Sequence, residues 1–260
     1  MPQKTVGDIS MYFEEAGAGP PLVFIHGLGA CAEDWEFQIP EFSKTHRVIA
    51  LDLRGFGRTP RGSGPLSVPR MAADVKALLD ALGIVQPVLI GHSMGGAVCL
   101  QLALDHPGTV QKMVISNSVP TFKPRTLRQR FEIFYRLVVT RLIGPRLIAE
   151  IGARRMYPLP AQAELRKKVI ARGRYNTGAN YSAALSVLTR WSVIERLDEL
   201  KMRVLVCASE HDYFSREDAI SFAWALPRGR FHMFKTMHHG LPLEAPDAFN
   251  TVMRDFLDYE

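Results

Sequence analysis

Hydrophobic and polar positions along the chain follow two rhythms. VGDISMYFEE (6–15) keeps Val6, Ile9, Met11 and Phe13 roughly in phase at period two, the pattern of an antiparallel edge hairpin. PLVFIHG (21–27) and HRVIALDL (46–53) are short unbroken apolar runs, as expected of strands buried on both faces of a parallel sheet. Between them, residues 32–44 place Trp35, Ile39 and Phe42 at helical spacing. A Gly/Pro/Arg loop from Arg54 to Leu66 precedes a helix capped by Ser67, with Val75, Leu78, Leu79 and Leu82 on one face and Gly83 as its stop. VLIGHS (88–93), GGAVCLQLALDH (95–106) and KMVISNS (112–118) then read as strand, helix and strand. The same grammar resumes with RVLVCASE (203–210), REDAISFAWAL (216–226), RFHMFK (230–235) and a C-terminal helix from about Glu244. This alternation predicts an α/β protein with a mostly parallel, doubly wound sheet and helices on both faces.

The middle of the chain reads differently. Segments 130–144, 145–156, 163–175 and 181–191 have helical periodicity and no strand pattern. The expectation is an all-helical cap at 120–195, inserted between two strands of a core formed by 1–119 and 196–260. Such an insertion lies near the crevice where open α/β sheets bind ligands, so it is expected to act as a lid. For Phe131, Phe134, Tyr135 and Leu137 two roles stand open: lining a pocket for an acyl or aryl group, or packing between lid and core.

Composition adds little until the charge is located. The chain has 260 residues, 47% hydrophobic and 22% charged, the proportions of an ordinary globular protein. Its net charge of +6 would suit nucleic-acid binding if it were spread over the surface. Instead residues 120–195 hold fifteen Lys/Arg against four Glu, and the rest of the chain carries seventeen basic against twenty-two acidic residues. The basicity belongs to one segment, and no nucleic-acid partner is expected. It is read mostly as a solvated helical face, with attraction of anionic substrates or a lipid surface as the alternative. No apolar run approaches the roughly 18 residues of a membrane span, and the first fifteen residues lack the core of a secretory signal. Three scattered cysteines (Cys31, Cys99, Cys207) fit neither a disulfide framework nor a zinc cluster. A cytoplasmic location, no metal and a monomer or homodimer are the expectations.

The chemistry concentrates at Gly91-His92-Ser93-Met94-Gly95, which fits G-x-S-x-G. The pattern alone is weak, but here a buried strand runs into it and a helix leaves from it, the setting of a nucleophile elbow. Ser93 is therefore the expected nucleophile. A serine hydroxyl needs a base, and the base needs an orienting acid. Asp212 stands just past one late strand, and His238 and His239 just past the last. Glu210 and Asp218 compete with Asp212 and are set aside, one as facing elsewhere and one as first-turn helix charge. Asn117-Ser118, past the preceding strand, cannot ionise.

These residues, with His26-Gly27-Leu28-Gly29, Asp52-Leu53-Arg54-Gly55-Phe56-Gly57 and the terminal His followed by Leu-Glu-x-Pro, resemble the α/β-hydrolase superfamily with a helical cap. The resemblance covers about 160 residues, roughly 20–118 and 200–257. It implies that the catalytic histidine lies five residues before Glu244, which selects His239 and leaves His238 where a glycine is usual. It also implies an oxyanion hole from the backbone N–H groups of Leu28 and Met94. His26 is read as bracing its loop, with a substrate contact as the alternative. Asp52 and Arg54 are read as structural, Trp35 as packing beneath the pocket entrance, and Cys31 as an inert thiol.

The resemblance implies a serine hydrolase that cleaves carboxylic esters of small molecules through a Ser93–His239–Asp212 triad, without a cofactor. Carbon–carbon hydrolysis of meta-ring-fission diketo acids and enol-lactone hydrolysis use the same triad, so the motif does not separate them. Arg190 and Trp191 are read as a helix-terminal Arg and a Trp anchoring the lid to the core; if the carbon–carbon reading held, they would instead face the pocket and hold a substrate carboxylate or ring. Haloperoxidase-like activity is a weaker alternative, and a non-turnover small-ligand receptor belongs to a different class altogether.

Overall fold

The computed structural model describes residues 2–142 and 145–258. Strands β1 (Gln3–Val6), β2 (Ile9–Ala16), β3 (Pro21–Ile25), β4 (Arg47–Leu51), β5 (Val88–His92), β6 (Lys112–Ser116), β7 (Arg203–His211) and β8 (Gly229–His238) form one sheet in the order β1-β2-β4-β3-β5-β6-β7-β8. β1 and β2 are antiparallel, β2 joins β4 antiparallel, and every other neighbour is parallel.

The unbroken apolar runs have a direct cause. Successive strand residues point to opposite faces, and both faces here are covered. Val23, Ile25, Ile49, Leu51, Leu89 and Ile115 pack on one side against α2 (Val68–Ala81) and α3 (Met94–Asp105). Their neighbours Leu22, Phe24, Val48, Ala50 and Ile90 pack on the other against α10 (Pro246–Asp258) and the short α1 (Gln38–Phe42). Eleven of the twelve α3 residues are buried, which makes it the central helix and explains its apolarity on all sides. The Ser67 hydroxyl accepts the Arg70 N–H at 3.2 Å as the cap of α2, and Gly83 follows that helix at φ +64°.

One helix expectation needs correction. Residues 32–44 form no single helix. They split into a 3-10 turn at Ala32–Trp35 and α1, so Trp35 and Phe42 reach the same cluster from separate pieces. The C-terminal helix expected from about Glu244 is α10; a short α9 (Leu241–Glu244) precedes it, ending before Pro246, which lacks the N–H needed to continue it.

Between β6 and β7 lie α4 (Leu127–Leu142), α5 (Pro145–Met156), α6 (Ala163–Arg172) and α7 (Gly178–Leu188), with α8 (Arg216–Ala225) following β7. Ile143 and Gly144, which the sequence reading put at the end of the first of these helices, lie outside the described residues. A Thr121–Ser192 bridge brings the two ends of the helical stretch together. Arg172 anchors it to the 3-10 turn, meeting Asp34 at 3.0 Å and Glu36 at 2.9 Å. Phe131, Phe134 and Tyr135 are 70%, 62% and 44% exposed, so they neither line a pocket nor pack on the core. Leu137 does pack inward, on the small cluster of Val139, Tyr181 and Leu185. Among the described residues no helix is long and apolar enough to cross a membrane.

Asp52 and Arg54 hold loops. The Asp52 carboxylate accepts the N–H groups of Ala32 (2.6 Å) and Arg58 (2.7 Å). Buried Arg54 makes two 2.6 Å bonds to Asp74 and donates to the Arg61 carbonyl at 2.9 Å. Removing one partner of a buried bidentate pair strands the other charge. Arg54→Ala is expected to cost about 3 kcal/mol or more in a urea titration. Loss of less than about 1 kcal/mol would mean that the loop does not depend on this pair.

Candidate active site

The turn from β5 into α3 carries the strongest local strain at the site. Ser93 sits at φ 51° and ψ −117°, a conformation that side chains rarely adopt and that surrounding contacts must impose. Its N–H donates to the Ser116 carbonyl at 2.9 Å, and its carbonyl accepts the Ser118 hydroxyl at 2.7 Å. The flanking glycines are required by space. A Cβ on Gly95 would lie 2.1 Å from the Ile25 carbonyl oxygen, and one on Gly91 would lie 2.5 Å from the Gly95 carbonyl oxygen. Backbone cannot move aside at such distances without displacing β3 or α3. Gly95→Ala is thus expected to lose about 3 kcal/mol or more, read from the denaturant midpoint. An unchanged midpoint would refute the tight crossing.

His239 follows β8 directly. Its Nδ1 lies 2.5 Å from Asp212 Oδ1, and that oxygen also accepts the Tyr213 N–H at 2.5 Å. An Nδ1–H donated to the carboxylate leaves the Nε2 lone pair free. Neither His239 Nε2 nor Ser93 Oγ has a hydrogen-bond partner among the described residues, and both residues line one cavity of about 470 Å³. Tyr213 stacks on the imidazole at 4.3 Å between centroids, and Phe214 meets it edge-on at 5.9 Å.

His238 is occupied elsewhere. Its Nδ1 lies 2.8 Å from Glu244 Oε1 and its N–H donates to Oε2 at 2.5 Å, while Gln162 bonds the same carboxylate at 2.9 Å. Glu244 thereby fixes the segment that presents His239. Two further groups hold the His239 backbone. His92 Nε2–H donates to its carbonyl at 2.8 Å, and Asn117 Nδ2 donates to the His238 and His239 carbonyls at 3.1 Å each. Burial lowers the His92 pKa to about 3, so this brace stays neutral. Sequence reading missed both residues as braces, since Asn117 was weighed only as an acid.

Met94 opens α3, so its N–H is one of the helix N–H groups with no acceptor inside the helix. Leu28 lines the same cavity from the loop after β3. That loop is held by His26, whose Nδ1 lies 2.7 Å from the Gly27 carbonyl and whose Nε2 accepts the Leu53 N–H at 2.9 Å. With both ring nitrogens engaged, His26 serves as a loop brace. Trp35 is 1% exposed and packs on Phe24 at 5.0 Å, bordering a smaller side chamber with His26, His92 and Arg172. Burial raises the Cys31 thiol pKa well above its usual range, which suits an inert thiol.

Of the two roles open to Arg190 and Trp191, the geometry fits the anchoring one rather than the substrate contact. Arg190 is exposed, and neither residue lines the cavity. The Trp191 indole is buried and donates to Gln101 Oε1 at 2.7 Å, so it joins the end of α7 to α3. The cavity is closed instead by α4, through Gln129, Glu132, Ile133 and Arg136, and by Tyr181 of α7. Their spacing of 129, 132, 133 and 136 was visible in the sequence as one helical face, but a polar one, which reads as solvated. Asp218 stands in the first turn of α8, its N–H donated to the Ser215 cap hydroxyl at 3.1 Å, and pairs with Arg125 at 2.7 Å.

Comparison with known proteins agrees with this architecture. A Variovorax paradoxus (strain S110) protein named as a carbamate hydrolase, RutD, is 33% identical over 75% of this chain and 74% of its own length. A Comamonas testosteroni protein named 2-hydroxy-6-oxo-6-phenylhexa-2,4-dienoate hydrolase is 27% identical over 98% of this chain and 93% of its own. Among solved structures, a thermophilic esterase from Thermogutta terrifontis with malate bound superposes at TM-score 0.85, with 25% identity over 96% of this chain and 93% of that one. The enol-lactonase from Burkholderia xenovorans LB400 superposes at 0.90, with 22% identity over 98% and 99%, a likeness of fold. Residues 20–246 match the family described as alpha/beta hydrolase fold, and the chain belongs to that family.

Proposed function

We propose that the protein is a serine hydrolase acting on carboxylic esters of small molecules. The observation that carries the reading is one cavity lined by a strained elbow serine and by a histidine whose Nδ1 lies 2.5 Å from a carboxylate. In this reading Ser93 Oγ attacks the acyl carbon and His239 Nε2 takes its proton. Asp212 holds the tautomer and supports the imidazolium. The developing oxyanion is received by the N–H groups of Leu28 and Met94, each worth about 10²-fold or more in rate. His239 then protonates the leaving alcohol, the acyl group stays on Ser93, and a water activated by the same imidazole releases the acid. Residues 120–195 act as a cap over a core of 1–119 and 196–260, and substrates enter beneath α4.

Carbon–carbon hydrolysis of a diketo acid is the second reading, favoured by the dienoate hydrolase similar to this chain along nearly its whole length. Carbamates present a related carbonyl to the same nucleophile. The test is a panel of p-nitrophenyl esters from acetate to palmitate, a p-nitrophenyl carbamate and a meta-ring-fission diketo acid, run with the wild type and Ser93→Ala. Serine-dependent turnover of esters well above the other two supports the esterase. Fast diketo-acid cleavage with poor ester turnover replaces it with the second reading.

A further inference from the structure

α4 turns its polar face inward. Gln129, Glu132, Ile133 and Arg136 line the cavity, while Phe131 and Phe134 face away and are largely exposed. The acids on the cavity wall are each matched to a cation. Glu132 pairs with Arg155 at 2.5 Å, and Asp218 with Arg125 at 2.7 Å. Arg136 has no such ion pair: Glu132, one turn back on α4 and held by Arg155, reaches it only at longer range. Among the described residues no carboxylate lies within ion-pair distance of it, and the one group its side chain bonds is the Tyr181 hydroxyl. A guanidinium offers five N–H donors in a planar fork, and Arg136, half-buried at the cavity wall, leaves most of them without a protein acceptor. Lys123, the other cavity cation without an ion pair, is exposed at the rim, where water serves it.

Two tyrosines place Arg136 relative to the reacting groups. The Tyr181 ring lies 3.4 Å from where a Cβ on Gly29 would sit, so it rests on the loop that carries Leu28. Arg136 bonds the far end of that ring, its Cζ 5.6 Å from the centroid. Tyr213, stacked on His239, is close enough to feel the Arg136 charge as well. Arg136 thus lines the same cavity as Ser93 and His239, with Tyr181 and Tyr213 linking it to the loop of Leu28 and to the His239 ring.

We propose that Arg136 anchors a carboxylate carried by the substrate, so that the preferred substrates are anionic, with the carboxylate a few bonds from the scissile carbonyl. This rests on the hydrolase reading for turnover, but the binding it describes requires only the cavity. Arg136 is a specificity-determining residue here and takes no part in bond making.

The test compares p-nitrophenyl hydrogen glutarate with neutral p-nitrophenyl pentanoate on the wild type, Arg136→Met and Arg136→Lys. Arg136→Met is expected to lower kcat/KM for the glutarate ester at least about 30-fold more than for the pentanoate, mainly through KM. Arg136→Lys should restore part of the preference, because it keeps the charge and loses the fork. A second arm measures binding of free glutarate to Ser93→Ala and to the Ser93→Ala/Arg136→Met double variant, which needs no turnover. Weaker binding in the double variant supports the anchor even if no ester is hydrolysed. Equal binding in the two, or equal losses on both esters, overturns it and leaves the hydrolase reading standing.

Discussion

Ser93→Ala is expected to lower kcat on the best ester of the panel by at least about 10³-fold while leaving the fold intact. The size follows from the arrangement. In the proposed mechanism Ser93 Oγ supplies the bond-forming atom, and the Leu28 and Met94 amides and the cavity walls remain in place without it. What survives should be the weak acceleration due to binding and oxyanion stabilisation alone. The fold should persist because the bonds that set the turn use the Ser93 backbone. Its N–H meets Ser116 at 2.9 Å and its carbonyl accepts from Ser118 at 2.7 Å, and alanine keeps both groups. Steady-state kinetics with far-ultraviolet circular dichroism on the same sample checks it. Near-normal turnover would remove Ser93 from the chemistry.

The second large effect separates two adjacent histidines. His239→Ala is expected to cost about 10³-fold or more in kcat, and His238→Ala less than about 10-fold. The difference comes from their partners. His239 Nδ1 is oriented by Asp212 and its Nε2 faces the cavity shared with Ser93. The His238 ring is held against Glu244 outside that cavity. Replacing His238 leaves Glu244 its bonds from the residue 238 N–H and from Gln162, so the loop should keep its course. Equal losses from the two variants would mean that both imidazoles serve the reaction.

Features set by short-range sterics were legible in the sequence. The G-x-S-x-G turn is one, because Gly91 and Gly95 are demanded by backbone atoms at 2.5 and 2.1 Å. The doubly wound sheet is another, since burial on both faces leaves unbroken apolar runs such as 48–51. Asp212 and the pair His238 and His239 were singled out by their places near the ends of β7 and β8, while the choice of His239 within that pair rested on the resemblance, through its spacing to Glu244.

The walls of the cavity were not legible, for a physical reason. Helix patterning assumes that the apolar face is the inward one, and α4 reverses this, turning Gln129, Glu132 and Arg136 to a cavity and Phe131 and Phe134 to solvent. Trp191 reads as a lid-to-core anchor, but its partner Gln101 lies 90 residues away, and nothing near it in the chain signals that partner. Asn117 and His92 brace His239 across similar separations. Pairings of this kind are products of topology, beyond the reach of local pattern.

The central claim is that hydrolysis proceeds through an acyl group on Ser93. The most direct measurement is rapid-quench turnover of p-nitrophenyl butyrate at high protein concentration, with the quenched protein digested and its peptides weighed. The account predicts a burst of p-nitrophenol approaching one equivalent per chain whenever deacylation is the slower step. A butyryl group should then appear on the peptide containing Ser93, and neither should appear with Ser93→Ala. A burst that persists in Ser93→Ala, or an acyl group on another residue, would contradict it.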